Sequence, residues 1–244
     1  MTTLYAFQHH ILIDAGYNDP AEHRHLAAHV IISKGGTLQV SSAGTEIACC
    51  GILIPPGVPH RIDTGAAPAL VFLFDSTTNT ARNIQTLQAI PRERCSIILE
   101  RFHAFEEHQT ADHSAALEQS VLACIGVSQT VSGVTDGRIR DAMALIRAGL
   151  SEPITCQDIA TRVFLSQSRF SHLFLQQAGM TFSAYLICQR LLYVYARLCG
   201  GCSITEAALE AGFSSSAHFA AVNRRVFGLP ASRITENLTF LNIQ

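Results

Sequence analysis

The sequence predicts a multidomain α+β protein with an N-terminal β-barrel, a helical hairpin and a C-terminal all-α domain containing two helix-turn-helix units. Three observations carry this reading. Short apolar runs punctuated by Gly, Ser and Pro fill residues 22–75, a helical periodicity takes over at Pro91, and a helix, a turn and a second helix occur twice after Arg138.

Composition sets the outer limits. A chain of 244 residues exceeds what one modest core needs, so at least two domains are expected, and 48% hydrophobic residues support a folded protein throughout. No apolar run approaches the roughly 20 residues of a membrane span. The N-terminus MTTLYAFQHHILID lacks the basic and apolar regions of a signal peptide, so a cytoplasmic protein without membrane association is expected. Eight Cys in such a chain read as reduced thiols rather than a disulfide framework. Cys49-Cys50 and Cys199-Gly-Gly-Cys202 are the two local pairs, but each falls short of the four ligands of a structural zinc site.

Charge is uneven. Residues 1–133 carry seven basic and twelve acidic side chains (net −5), whereas residues 134–244 carry ten basic and seven acidic (net +3). Every basic residue of the second half is Arg, the side chain best suited to forked contact with phosphate.

The runs HVIIS, LQV, GILIP and ALVFLF read as the strands of a small sandwich or barrel in a domain at 1–82. Next, Cys95, Ile98, Phe102 and Phe105 make one helical stripe and Leu117, Val121 and Cys124 another, a hairpin at about 92–125 within a segment at 83–130. Such stripes suit packing on the sheet or on a second subunit. GVSQTVSGVTDG, residues 126–137, reads as a flexible linker, and everything after Arg138 reads as helix, giving a third domain at 131–244.

Within that domain, ITCQDIATRVFLSQSRFSHLFLQQAGMTF and SITEAALEAGFSSSAHFAAVNRRVFGLP share one order of residues. Ala160 and Ala208 stand 48 apart, Gly179 and Gly228 stand 49 apart, and the extra residue falls in or just after the turn. Each unit, at about 154–179 and 203–228, has a small residue where two helices cross, a turn, and a second helix free to enter a DNA major groove.

From RIRDAMALIRAGLSEPIT through DIA, LSQSRFSHLFLQQAGMTFSAYL, Arg190, ITEAALEAGFSSSAHF and FGLPAS, the chain resembles the AraC/XylS family of bacterial transcription regulators. The resemblance covers roughly residues 138–233. It implies two helix-turn-helix units joined by a long helix from about Phe182 to Cys199, with recognition helices in successive major grooves. It also implies promoter DNA as partner, a homodimer formed through the hairpin, RNA polymerase if the protein activates, and no enzymatic activity.

The residues themselves agree on the first recognition helix. With Phe170, Leu173 and Phe174 buried, Gln167, Ser168, Arg169, Ser171, His172, Leu175 and Gln176 lie around the other side. Arg169 suits guanine O6/N7 or a phosphate, and Gln167 and Gln176 suit adenine edges. In the second unit Phe219 anchors the helix, Ser215, Ser216, Ala217, His218 and Ala221 lie toward the groove, and Arg224 and Arg225 suit phosphate. Ala217 and Ala221 offer little beyond contact with a thymine methyl, so base reading is expected mainly from the first helix. Two positions depart from the family pattern. Asn223 stands where a buried Phe is usual, and Phe164 replaces the small turn residue that Gly212 supplies in the second unit.

The N-terminal half resembles the same family's sensor, a cupin-like β-barrel, through His23-Arg-His25, His29 and PPGVPH ending at His60. His29 stands where cupin enzymes have a Glu ligand. Four imidazoles suit Zn, Ni, Cu or Fe. The resemblance leaves three uses open: a transition metal, a small organic effector, or a packed scaffold. The competing functions are a metal-dependent cupin enzyme with a helical appendage and a regulator that senses metal or redox state.

Overall fold

Strand-forming sequence begins earlier than residue 22. In the computed structural model, which describes residues 2–7, 10–25, 27–75, 77–129, 132–227 and 238–242, the first strands are β1 (Thr2–Ala6) and β2 (His10–His23). They are followed by β3 (Ala28–Ser33), β4 (Leu38–Ser42), β5 (Thr45–Cys49), β6 (Gly51–Ile54) and β7 (His60–Phe74). A short helix α1 (Asn79–Asn83) and a two-residue β8 (Gln88–Ala89) lead to the hairpin α2 (Arg92–His108) and α3 (Ala111–Ile125).

The chain forms two compact units, Met1–Val131 with Ser232–Gln244, and Ser132–Ala231. The first therefore includes the C-terminal segment, where β9 (Leu238–Asn242) pairs in parallel with β1. This corrects the expectation of helix to the end of the chain. A five-residue strand whose ladder partner lies at the other terminus leaves no local periodicity to read.

The strands form one sheet in the order β8-β6-β3-β7-β2-β1-β9, with β4 joined to β7 and β5 to β4. The order does not return on itself, so the expected barrel is an open sheet. Its outermost strands, β8 with two residues and β9 with five, are too short to offer a long ladder for closure. Long strand β7 organises the rest: Arg61–Asp63 pair with β4, Ala69–Phe74 pair with β3, and β2 runs along both halves with two register shifts.

Alternation along β3 sends its residues to opposite faces. Val30 and Ile32 join Leu12, Leu70, Phe72 and Phe74 in a core covered by Ile98, Phe102, Phe105, Leu117 and Val121 of the hairpin. The hairpin and sheet thus share one core. His29 and Ile31, also buried, lie on the opposite face.

The second unit contains α4 (Gly137–Ala148), α5 (Cys156–Arg162), α6 (Gln167–Ala178), α7 (Phe182–Cys199), α8 (Ile204–Glu210) and α9 (Ser216–Phe227). Thr155, Ser166, Thr181 and Ser203 cap four of these helices through side-chain oxygens, and Glu206 completes a capping box with Ser203. Helix α7 serves both halves. Phe182 and Tyr185 pack with Phe170 and Phe174, while Tyr195 meets Phe219 edge-on at 6.2 Å.

The segment expected to be a flexible linker is anchored at both ends. Val127 is buried in the first core and Val134 in the second. Gln177 Oε1 accepts hydrogen bonds from the backbone N–H groups of Thr135 and Asp136 at 2.7 and 3.0 Å.

Candidate nucleic-acid interface and sensor site

The two helix-turn-helix units repeat at the level of single hydrogen bonds. In the first, Phe164 N–H donates to Thr161 and Leu165 N–H to Ala160. In the second, Gly212 N–H donates to Leu209 and Phe213 N–H to Ala208. Every partner is displaced by 48 positions, and Ala160 and Ala208, both fully buried, sit where the paired helices meet. The caps of the following helices, Ser166 and Ser215, are 49 apart, so the extra residue is Ser214. Both turns need left-handed backbone, with φ 58° at Phe164 and 79° at Gly212. Phe164 adopts it with its side chain 94% exposed.

Helix α6 buries Phe170, Leu173, Phe174 and Ala178, which leaves Gln167, Ser168, Arg169, Ser171, His172, Leu175 and Gln176 exposed. Ser171 Oγ donates to the Gln167 carbonyl at 2.9 Å and is therefore partly engaged within its own helix. Helix α9 exposes Ala217, His218, Ala221, Arg224 and Arg225, while Ser215 and Ser216 are half-buried. Two of these have local tasks. Ser215 Oγ accepts the His218 backbone N–H at 3.0 Å, and His218 Nδ1 lies 3.0 Å from Ser214 Oγ. The strongest chemistry left facing outward on α9 is the Arg pair.

Asn223 resolves its own difficulty. It is fully buried, and Tyr195 donates its phenolic hydrogen to Asn223 Oδ1. Burial pushes the Tyr195 pKa upward, which keeps that donor protonated. Arg190 was visible in sequence as part of the family pattern, but its task was not. Its guanidinium donates to the Gly212 carbonyl at 3.1 Å and lies so close that a Cβ at Gly212 would come within 2.7 Å of it. Arg197 and Glu210, joined at 2.7 Å, tie α7 to α8, a pair no local pattern announces.

In the first unit the predicted histidines converge. His23 at the end of β2 is the register partner of His60 at the start of β7, and His25 follows in the next loop. One ring nitrogen from each of His23, His25 and His60 lies within 4.8 Å of the others. His29 falls outside this trio, though its ring centre is 4.3 Å from that of His25. Burial, and then the neighbouring imidazoles of His25, His60 and His23, hold His29 well below the usual imidazole range, against an opposing backbone hydrogen bond at Ala27. The PPGVPH loop is pinned twice: Gly57 N–H donates to the His25 carbonyl at 2.8 Å, and His60 Nδ1 lies 2.8 Å from the Val58 carbonyl oxygen.

The cysteines take a different arrangement from the sequence pairs. Cys50 Sγ lies 3.4 Å from Cys95 Sγ, and no disulfide is formed among the described residues. Burial pushes the Cys95 thiol upward and Cys49 to about 11, so neither is readily ionised.

Duplicated helix-turn-helix units on a common helix, each with an exposed second helix, define a helix-turn-helix DNA-binding domain. The Helix-turn-helix domain family matches residues 159–237. The regulatory protein PocR of Salmonella typhimurium is 33% identical over 103 residues, covering 41% of this chain and 34% of PocR; the chain thus spans only about a third of that curated relative. A solved AraC-type DNA-binding domain protein from Chromobacterium violaceum is 31% identical, covering 39% of this chain and 91% of that one, with a TM-score of 0.37. Apo ToxT of Vibrio cholerae, 13% identical, superposes with a TM-score of 0.62 over 94% of this chain and 97% of its own, which shows a shared fold. Residues 159–237 thus form a helix-turn-helix domain similar to that of these regulators.

Proposed function

We propose that the protein is a sequence-specific DNA-binding transcription regulator whose N-terminal unit holds an effector that modulates promoter binding. One observation carries the reading: two equivalent helices, α6 and α9, present polar and cationic faces from opposite ends of α7. An 18-residue α7 is about 27 Å long, close to the roughly 34 Å between successive major grooves. The two recognition helices therefore suit adjacent grooves on one side of the duplex.

Division of labour follows from the side chains. Arg169, Gln167, His172 and Gln176 are suited to base edges, whereas Arg224 and Arg225 are suited to phosphate. The effector changes affinity by favouring one arrangement of the protein, a coupling of typically about 1–3 kcal/mol. ToxT, which shares the fold at 12% identity and a TM-score of 0.55, has been solved with an unsaturated fatty acid bound, so a small organic molecule is one candidate for the effector here.

The outward face of the hairpin, with Ile97 48% exposed between Arg94 and Arg101, suits contact with a second copy. RNA polymerase is the further partner if the protein activates. Action on promoter DNA places the protein in the cytoplasm in this reading; among the described residues no helix is long and apolar enough to cross a membrane.

Selection of the full chain against a randomised duplex library at two salt concentrations tests the reading. Enrichment of a discrete sequence, lost in Arg169→Ala, is expected. Binding that is uniform across sequences, or absent, would overturn it. Stoichiometric metal without any enriched DNA would favour a metal-dependent enzyme instead.

A further inference from the structure

DNA recognition makes no use of two thiols that the fold of the first unit brings together. Cys50 immediately precedes β6 and Cys95 lies in the first turn of α2, 45 positions further on, yet their sulfurs are 3.4 Å apart. Neither Cys49-Cys50 nor Cys199-Gly-Gly-Cys202 announces this contact, because the backbone builds it. Ile90 N–H donates to the Gly51 carbonyl at 2.8 Å and Cys95 N–H to the Pro91 carbonyl at 3.1 Å, so α2 starts directly against β6. On the other side, Ser33 N–H donates to the Cys50 carbonyl at 2.9 Å. Gly51 is what allows so close an approach: a Cβ there would come within 2.6 Å of Cys95 Sγ.

The two sulfurs differ in access. Cys95 is buried and Cys50 half-buried, and both line a cavity of about 350 Å³ bounded also by Lys34, Arg92, Ser96 and Leu99. Arg92 and Ser96 are exposed, so a small solute entering past them reaches Cys50 first. Burial pushes the Cys95 thiol upward and keeps it protonated, which suits the second thiol of a pair rather than the first to react. A disulfide holds its sulfurs about 2.05 Å apart. Closing the remaining roughly 1.4 Å asks for a modest rotation of the Cys50 side chain about Cα–Cβ.

We propose that Cys50 and Cys95 are an oxidant-responsive dithiol that hydrogen peroxide converts into a disulfide. The Cys50 sulfur attacks one peroxide oxygen; an S–O bond forms, the O–O bond breaks, and the second oxygen leaves as water with the thiol proton. Cys50 is then a sulfenic acid. The Cys95 sulfur attacks the Cys50 sulfur, the S–O bond breaks, and the hydroxyl leaves as water with the Cys95 proton. The two thiols together lose two electrons and the peroxide gains them. The new bond ties β6 to α2 and stabilises the first unit by closing a long loop. Thiol–disulfide exchange reverses it. The site stands independently of DNA binding.

The test uses the full chain, reduced, treated with hydrogen peroxide, blocked with N-ethylmaleimide and digested without reductant. Mass spectrometry should find the Cys50 and Cys95 peptides joined and lighter by two hydrogens, and dithiothreitol should separate them. Cys50→Ser should abolish the link, Cys95→Ala should leave a Cys50 sulfenic acid that dimedone labels, and Cys199→Ser, in the second unit, should leave the link unchanged. Should Cys95→Ala fail to fold, Cys50→Ser at the half-buried position decides. In calorimetry, oxidation should raise the unfolding midpoint of the first unit by about 5 °C or more in wild type and not in Cys50→Ser. No joined peptide, or Cys50 joined instead to Cys49 or Cys124, overturns the dithiol. Dimedone on Cys95 rather than Cys50 overturns the order of the two steps, and equal midpoints overturn the stabilising clamp.

Discussion

Tyr195 and Asn223 form a polar contact in the middle of the second helix-turn-helix unit, and removing one partner should be costly. Both side chains are fully buried, one on α7 and the other on α9, with the phenol donating to the amide oxygen. Tyr195→Phe deletes a single oxygen and opens almost no cavity, so the loss is that of the donor to a buried acceptor, about 1–3 kcal/mol. For a unit of about 100 residues, each kcal/mol moves the unfolding midpoint by roughly 4–8 °C. Calorimetry of the full chain should therefore show the transition of the second unit falling by at least about 4 °C. Adding Asn223→Leu to Tyr195→Phe removes the acceptor as well and should recover most of that loss, because two apolar partners of similar shape leave nothing unsatisfied. A Tyr195→Phe midpoint equal to wild type would refute the reasoning, as would a double variant less stable than the single one.

Other outcomes separate the roles of the remaining parts. Arg169→Ala should reduce affinity for the selected site by about 1–3 kcal/mol and relax base preference at one position; Arg224→Ala should weaken all sequences alike and lower the salt slope by roughly 1, both read by anisotropy titrations. Gly212→Ala should destabilise the second unit by at least about 1–2 kcal/mol, since the turn has φ 79° and the new Cβ meets Arg190 at 2.7 Å; Phe164→Gly should be neutral or stabilising in a urea titration. Burial, with Glu106 and Asp14 adding, pushes Tyr5 up to about 12 from 10. The unfolded chain then loses this proton first, so the first unit keeps the full contribution below pH 10 and loses it as pH rises toward 12. Tyr5→Phe should flatten that stretch of the stability profile, and an unchanged slope would count against it.

The duplicated units were legible because their signals are local. Ala160 and Ala208, the serines that cap the recognition helices, and the Phe positions repeat along the chain, and α7 runs over Phe182–Cys199, the bounds expected from sequence. The exposed faces followed from helical spacing alone: burying Phe170, Leu173 and Phe174 leaves Arg169, His172 and Gln176 outside. The four histidines could likewise be listed from their motif.

Tertiary structure decided what depends on distant pairing. That Asn223 is tolerated rests on Tyr195, a residue 28 positions away. The gathering of His23, His25, His29 and His60, the opening of the expected barrel, and the return of Leu238–Asn242 to lie beside β1 all depend on strand register. Helices carry their hydrogen bonds and their pattern within one short stretch, so sequence alone determined them here. A sheet takes its bonds from remote strands, and only the folded chain determines which strands meet and which side chains they bring together.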